Sequence, residues 1–474
     1  MTKKNVLVIS EQFTKGGLEI HILNQVVGLK DDVNFIFAFG KYEENEKLKN
    51  NKIYNIGSFS SEYTVSKFYE QVKTLLDIVE KEKIDVIHAH PFMSLLPAMF
   101  TSVISGKPMI YTLHGGPSLS MYSDVFTYSF LQRFFFNYLD QEVIAVRKGF
   151  ESAVESRGAK KIHYIPNSLI IKDYNGIKRV ENNRWALLSR LDDESQTAIF
   201  DIIDKIDDIG IGSIDIFGVG WAESIIRDHI EEKELLGRVK LRGWSDGVMG
   251  ALMNKEYEGI IGHGQTALDG LAAGLPVLLL SYGRVTGLID GDLYSEVKDY
   301  NFVNIFQRSV SNKEIIHQFN QYHRKPDDYI LADQVRRDFD NKKAQKQYLS
   351  IIKGAKHKYS TQLVDMWERV TNLVEDKSPT VTEQFLESTA IEQIIEECTL
   401  RYGFVMSPNL LDIINENKQY RKISRTIDQL RFDVDELINR VNDQKIELEK
   451  LYSIKKSSKL LAGNIKRRIT RRSK

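Results

Sequence analysis

The string GHGQTALDGLAAGLPVLLL, residues 262–280, decides the fold. An apolar run over 259–262 ends in a glycine-rich turn. A small-residue helix starts at about Thr266, stops at Gly274, and Pro276 opens a second apolar run over 277–280. Strand, turn, helix and strand in so few residues form a crossover unit, which makes the two strands parallel. Backbone amides of His263, Gly264, Gln265 and Thr266 would face an anion at the helix start. Asp269 reads as a first-turn carboxylate, placed to grip paired ribose hydroxyls. Tight helix packing through Ala267, Ala272 and Ala273 accounts for the alanines but leaves the GHGQT turn unexplained.

The unit repeats outward in both directions. Apolar runs at 185–188, 213–217 and 239–241 alternate with helical spacing at 197–206 and 222–233. Toward the N-terminus, runs at 5–10, 34–39, 86–89, 109–112 and 142–146 enclose helical stretches at 18–29 and 65–80. The IPNS string at 165–168 closes this first series. Near-continuous apolar runs, without polar alternation, predict parallel sheets covered on both faces. The expected fold is α/β, with two Rossmann-like doubly wound domains facing a cleft. Their expected spans are 1–170 and 171–350. Ligands of such sheets lie beyond the carboxyl ends of the strands.

Past residue 340 the strand signals stop, and a helical extension is expected over 351–452. Ile423, Ile427, Leu430, Val434, Leu437, Val441, Leu448 and Leu451 follow a heptad seam with Gln444 in its polar slot. That pattern predicts a coiled coil at 423–451, with a homodimer as the expected assembly. The chain has 65 Lys/Arg and 65 Asp/Glu, yet nine of the basic residues and none of the acidic ones lie in 455–474. This tail interleaves Leu460, Leu461, Ile465 and Ile469, which suits an anionic membrane surface. No folded nucleic-acid module accompanies it, so nucleic acid is not an expected partner. No run approaches the roughly 20 apolar residues of a membrane span. The N-terminal MTKKNVLVIS reads as a first strand instead of a leader, which predicts a cytoplasmic protein, peripheral at most. Cys398 is the one cysteine among 474 residues, which excludes internal disulfides and cysteine-rich zinc sites.

Further strings carry chemistry at strand ends. TKGGLEIH, 14–21, has Gly16 and Gly17 ahead of a helix, where backbone can approach a ligand closely. HAHPFMSLLPA at 88–98 and TLHGGPS at 112–118 place His88, His90 and His114 at or beyond strand ends. The gap between the pair and His114 is no standard metal spacing, so no metal is expected. In LLSRLDDES, 187–195, Arg190 offers a planar fork to a phosphate, unless it merely pairs with Asp192 or Asp193. Gly218 in IFGVGWAE gives half of a dinucleotide fingerprint without the rest. Asp290 and Asp292 read as a solvated turn.

Taken in order, GGLEIH, LHGG, IPNS, SRLDDES, IFGVGWAE and ALDGLAAGLPVLLL resemble the motifs of retaining GT-B glycosyltransferases, in particular family 4, over about residues 4–350. The resemblance implies a metal-free hexosyltransferase. It would use a nucleotide-sugar donor, UDP-linked by expectation, and a cell-surface glycan, lipid-linked or polymer acceptor bound by the first domain. It implies that Gly16 and Gly17 lie near donor phosphates and acceptor, His114 contacts the donor sugar, Arg190 neutralises the leaving diphosphate and Asp269 holds the ribose. Gly218 and the GHGQT turn would border the nucleotide, and Gly283 and Gly287 the sugar pocket. Three positions depart from the family pattern. Ser195 stands where a lysine is usual, Ile261 replaces the first glutamate of a pair, and Asp269 shortens the second. These departures open an alternative: a glycosyltransferase-like scaffold subunit that dimerises with an active partner.

Overall fold

A computed structural model of the chain describes residues 3–357, apart from 15, 58–64, 91–93, 115–140, 156–158, 176, 178, 246, 253–255, 282–283 and 304–309, together with 364, 367, 368 and 371. The expected coiled coil at 423–451, the basic tail at 455–474 and Gly283 lie outside the described residues. The architecture below falls within the compact unit Met1–Glu397.

The first sheet has seven strands: β1 (Lys4–Phe13), β2 (Val33–Tyr42), β3 (Lys52–Asn55), β4 (Val86–Ala89), β5 (Met109–Leu113), β6 (Glu142–Ala145) and β7 (Lys161–Tyr164). Their order is β3-β2-β1-β4-β5-β6-β7, and every pair is parallel. Leu7 at the centre pairs with Ile36 on one side and Ile87 on the other. Residues Val6 to Ile9 are all buried, because helices cover both faces of the sheet, and this is why the strand reads as an unbroken apolar run.

The second sheet holds β8 (Arg184–Leu188), β9 (Ser213–Phe217), β10 (Val239–Gly243), β11 (Gly259–Gly262), β12 (Val277–Ser281) and β13 (Arg284–Leu288), in the order β10-β9-β8-β11-β12-β13. Five strands are parallel, and β13 returns antiparallel on β12. The apolar runs do not reveal β3, β7 or β13. β3 and β7 are edge strands of intermediate exposure, and β13 is an edge strand interrupted by Thr286 and Gly287, so none shows a continuous apolar stretch.

The chain crosses between the sheets twice, and the crossings lie side by side. Leu169 N donates to Phe339 O at 2.8 Å, and Asn341 N donates to Leu169 O at 3.0 Å. The helix Asn341–Gly354 then returns to the first sheet. Its Ala344, Tyr348, Ile351 and Ile352 join Val8, Ile22, Val26 and Phe37 in one core. Gly28 lets it come close: a Cβ there would meet the Gln345 side chain. This helix runs through residue 350, where the expected second domain ends, and packs in the core of the first.

Candidate functional site

Strand order reverses direction between β1 and β4 in the first sheet and between β8 and β11 in the second. In doubly wound sheets the crevice beyond such a switch point holds the ligand. The loops at these four strand ends are TKGG after β1, the histidines of β4, SRLDD after β8 and GHGQT after β11. All four strings singled out in the sequence therefore sit at switch points.

In the first domain Gly16 caps the helix Gly17–Leu29. Glu19 folds back beneath this turn, and its Oε1 accepts from Thr14 N at 3.0 Å. A Cβ on Gly16 would lie 3.0 Å from Glu19 Oε2, so the glycine makes room for the carboxylate. Burial raises the Glu19 carboxyl pKa, opposed by the Thr14 amide. One turn along, His21 begins a cluster of four histidines. Its ring centroid is 4.7 Å from His114 and 6.0 Å from His90, and His88 and His90 are 4.3 Å apart. His21 Nδ1 meets Asn167 Oδ1 at 3.0 Å, which assigns its proton to Nδ1; its Nε2 then accepts from the Tyr348 hydroxyl at 2.9 Å, with Gln25 Nε2 at 2.8 Å. His90 Nδ1 and His114 Nε2 lie 2.9 Å apart, and one proton serves both. His88 Nε2 meets Thr112 Oγ1 at 2.7 Å. Burial holds all four neutral: it lowers His21 to about 4 against the Asn167 bond, and, with neighbouring imidazoles adding to the effect, lowers His88 to about 3 and places His90 and His114 well below the usual range.

In the second domain the SRL loop is clasped by the GVG loop. Leu191 N donates to Val219 O at 3.1 Å, and a Cβ on Gly218 would lie 2.0 Å from Ser189 O. Gly218 is thus required by close backbone packing beneath Arg190. The Arg190 side chain is 77% exposed and its Nε lies 3.5 Å from Asp192 Oδ2. Asp192 also caps the helix Asp193–Asp204 in a capping box with Ser195. The Ser195 hydroxyl turns back to the Arg190 carbonyl, so it shapes this loop where the family pattern would carry a positive charge. His263 is open to solvent. Dense surroundings first, and the Arg190 guanidinium second, lower its pKa, with Asp192 opposing.

Gly264 adopts φ 57°, a left-handed conformation that favours glycine, and caps the helix Gln265–Ala272. Its amide donates to Phe302 O at 3.1 Å and is therefore engaged within the protein, leaving the amide of Gln265 as the first of the helix without an intrahelical acceptor. A Cβ on Gly262 would lie 2.5 Å from Thr266 Cγ2, so that glycine admits the threonine beneath the turn. Because the helix starts at Gln265, Asp269 falls in the second turn and not the first. It is 6% exposed, and its Oδ1 accepts from Tyr174 Oη at 2.6 Å and Gln265 Nε2 at 2.7 Å. Burial raises its pKa to about 6 against those two donors. Tyr174 in turn is held by Arg336, which donates to the carbonyls of Tyr174 and Ala272. Nothing in the sequence near Asp269 announces Tyr174, which lies 95 residues away.

The two walls meet. An ideal Cβ on Gly17 would lie 3.9 Å from Gln265 Cβ. Gly17 and Gln265, the first residues of one helix from each domain, therefore stand side by side. Gly287 is elsewhere. It sits in β13 with φ 138°, where a Cβ would face Gln318 and Leu293 under the covering helices. Ile261 is fully buried in β11, and Asp290 caps the helix Gly291–Val297 through Leu293 N at 2.8 Å. Among the described residues no group of three or more His, Cys, Asp or Glu side chains is arranged to hold a metal, and no helix is long and apolar enough to cross a membrane.

Paired doubly wound domains with apposed switch-point turns define the GT-B architecture. Anabaena HepE in complex with UDP and glucose shares it: 14% identity, 74% of this chain and 99% of that chain covered, TM-score 0.55. An S. aureus TarM variant in complex with fondaparinux, α-GlcNAc-glycerol and UDP aligns at 11% identity over 74% of this chain and all of that one, TM-score 0.52. In sequence, residues 15–170 match Glycosyltransferase Family 4. The chain is also 27% identical over 301 residues to an uncharacterized glycosyltransferase of Methanocaldococcus jannaschii, covering 58% of this chain and 78% of that protein. The chain has the GT-B fold, and its residues 15–170 match the Glycosyltransferase Family 4 domain.

Proposed function

We propose that this chain transfers a hexose from a UDP-sugar to a glycan, lipid-linked or polymer acceptor with retention of configuration. The apposition of Gly17 and Gln265 carries this reading, because it brings the starts of two helices, one from each domain, to the same place. Departure of UDP concentrates negative charge on the β-phosphate. Arg190 and the free amide at the start of the Gln265–Ala272 helix neutralise it in place, with no reorganisation at the moment of bond breaking. Asp269, its Oδ1 occupied by Tyr174 and Gln265, turns its other oxygen to the ribose. His114 orients the sugar, kept neutral so that it donates to or accepts from hydroxyl groups. The acceptor enters from the Gly16–Gly17 side, on the face the leaving phosphate vacates, and the phosphate takes its proton. That route retains the anomeric configuration. The segment 423–451 would pair two copies, and 455–474 would hold them at an anionic membrane surface near a lipid-linked acceptor.

UDP titrated calorimetrically into the full chain tests the site, and the anomer released on slow UDP-sugar hydrolysis, read by NMR, tests the stereochemistry. Release of the opposite anomer refutes retention. The Ser195 capping box favours a second reading, a scaffold subunit of the same fold, since it replaces a phosphate-facing cation with a loop-shaping hydroxyl. Wild-type protein that binds no UDP and co-purifies with an active transferase selects that reading.

A further inference from the structure

Residues 299–302 belong to the second domain but direct their polar groups at the first. Asp299 O accepts from Lys148 N at 2.8 Å, and its carboxylate pairs with Lys148 Nζ at 2.6 Å. Tyr164 at the end of β7 reaches the same residue, 3.3 Å from its carbonyl. Asn301 Oδ1 accepts from Asn167 Nδ2 at 3.0 Å. Asn167 lies on the first interdomain crossing, and its Oδ1 accepts from His21, which accepts from Tyr348 in the first core. The next carbonyl, that of Phe302, accepts from Gly264 N. A continuous row of bonds thus runs from the first-domain core, through the crossing, to the residue that caps the Gln265–Ala272 helix.

The backbone at the junction is unusual. Asn301 has φ 59° and Phe302 φ 51°, two successive left-handed residues, neither of them glycine. Asparagine tolerates this region, but a bulky residue there is strained. Strain of this kind persists only where its surroundings over-determine it. Phe302 is fully buried, with its ring 5.6 Å from Phe339 and 6.1 Å from Tyr294. In an extended conformation the Phe302 carbonyl would turn away from Gly264.

We infer that Asn301 is a positioning residue for transfer: through Asn167 on one side and the Phe302 carbonyl on the other, it holds the Gly264 turn against the first domain, so that Gly17 and Gln265 stay apposed across the cleft. The inference rests on the functional reading above for its consequence, though not for its geometry. Two substitutions in the full chain test it. Asn301→Gly keeps the left-handed backbone and deletes the acceptor, while Asn301→Asp keeps both. Hydrogen exchange at amides 165–169 and 263–266 reports the geometry. UDP titration and UDP-sugar hydrolysis report the consequence. Asn301→Gly is expected to speed exchange at both segments by about three- to tenfold, the worth of one hydrogen bond. UDP affinity should hold within about threefold, while hydrolysis slows by about tenfold through misplacement. Asn301→Asp should match the wild type in every readout. Unchanged exchange at either segment in Asn301→Gly overturns the inference, whatever UDP does. A wild type that binds no UDP overturns the functional reading instead, and the exchange data still decide the role of Asn301.

Discussion

Gly17 and Gln265 touch across the interdomain cleft: a Cβ on the glycine would stand 3.9 Å from that of the glutamine. These are the first residues of two helices, one from each domain. A methyl group fits this gap as an ordinary contact, and a large side chain does not. Gly17→Ala should leave UDP-sugar hydrolysis near the wild-type rate, whereas Gly17→Phe should lower it about a hundredfold by forcing the walls apart. Steady-state rates with thermal melts as a folding control check this. Normal turnover by Gly17→Phe would refute the idea of a closed site there.

Arg190 is exposed and makes one loose ion pair, so removing it should not affect folding. Its proposed work is on the diphosphate, where a charge-assisted bond contributes about 1.5–3 kcal/mol. Arg190→Ala should weaken UDP binding by about 10- to 100-fold with an unchanged melting temperature. Wild-type affinity should also fall with added salt, as screening predicts. Unaltered calorimetric affinity in the variant would remove Arg190 from the site.

Tyr174 donates to Asp269, and that bond holds the Asp269 pKa down against burial. Tyr174→Phe should therefore move the Asp269 titration upward from about 6. UDP affinity measured from pH 5 to pH 8 would show its carboxylate-dependent limb shifted to higher pH. The same midpoint in both proteins would mean that Tyr174 does not tune this carboxylate.

The histidine cluster, with His21, His88 and His90 buried and His114 half-buried, makes the fold sensitive to acid. Their pKa values are lowered in the folded state, so the unfolded chain binds more protons between pH 6.5 and about 4. The stability they contribute is complete above pH 6.5 and is lost as pH falls toward the folded values. For His21 alone the shift from 6.5 to about 4 corresponds to about 3 kcal/mol. Asp269 acts in the opposite sense, because its raised pKa favours the folded state at low pH and loses that contribution as pH rises through about 6. One carboxyl does not offset four imidazoles. Denaturant midpoints should fall steadily from pH 6.5 to 4.5, and His21→Gln should flatten the slope by about one proton. A flat profile would show these rings to be charged or solvated.

Ile352 is 1% exposed and lies in the first core although it follows the whole second domain in the chain. Ile352→Ala should cost about 2–5 kcal/mol of stability while leaving UDP affinity intact. Chemical denaturation of the variant checks the first part and calorimetry the second. A cost below about 1 kcal/mol would mean that the helix Asn341–Gly354 detaches readily.

The central strands of both sheets, and the glycine turns that follow them, could be read from local signals. Strands buried on both faces must be apolar throughout, as Val6 to Ile9 are, and a turn that starts a helix from left-handed backbone favours glycine, as at Gly264. Edge strands such as Lys52–Asn55 escaped because half-exposure imposes no such pattern. Asp269 was visible as a carboxylate, but its partner Tyr174, its place in the second turn and its raised pKa were not. Gly287 was assigned to the sugar pocket by resemblance alone, and a glycine in the sequence carries no sign that its Cβ side faces Gln318 and Leu293. His21, Asn167, Asn301 and Phe302 become a unit only when the two crossings bring the domains together.

Sequence by itself determined the two-sheet α/β plan, because hydrophobic periodicity and glycine punctuation act over a few neighbouring residues. Tertiary structure alone decided which turns face each other, which charges are already engaged and which helix completes the first core. Those contacts join residues up to 327 positions apart, as between His21 and Tyr348. Burial and proximity at such separations are set by how the whole chain packs, and no local pattern encodes them.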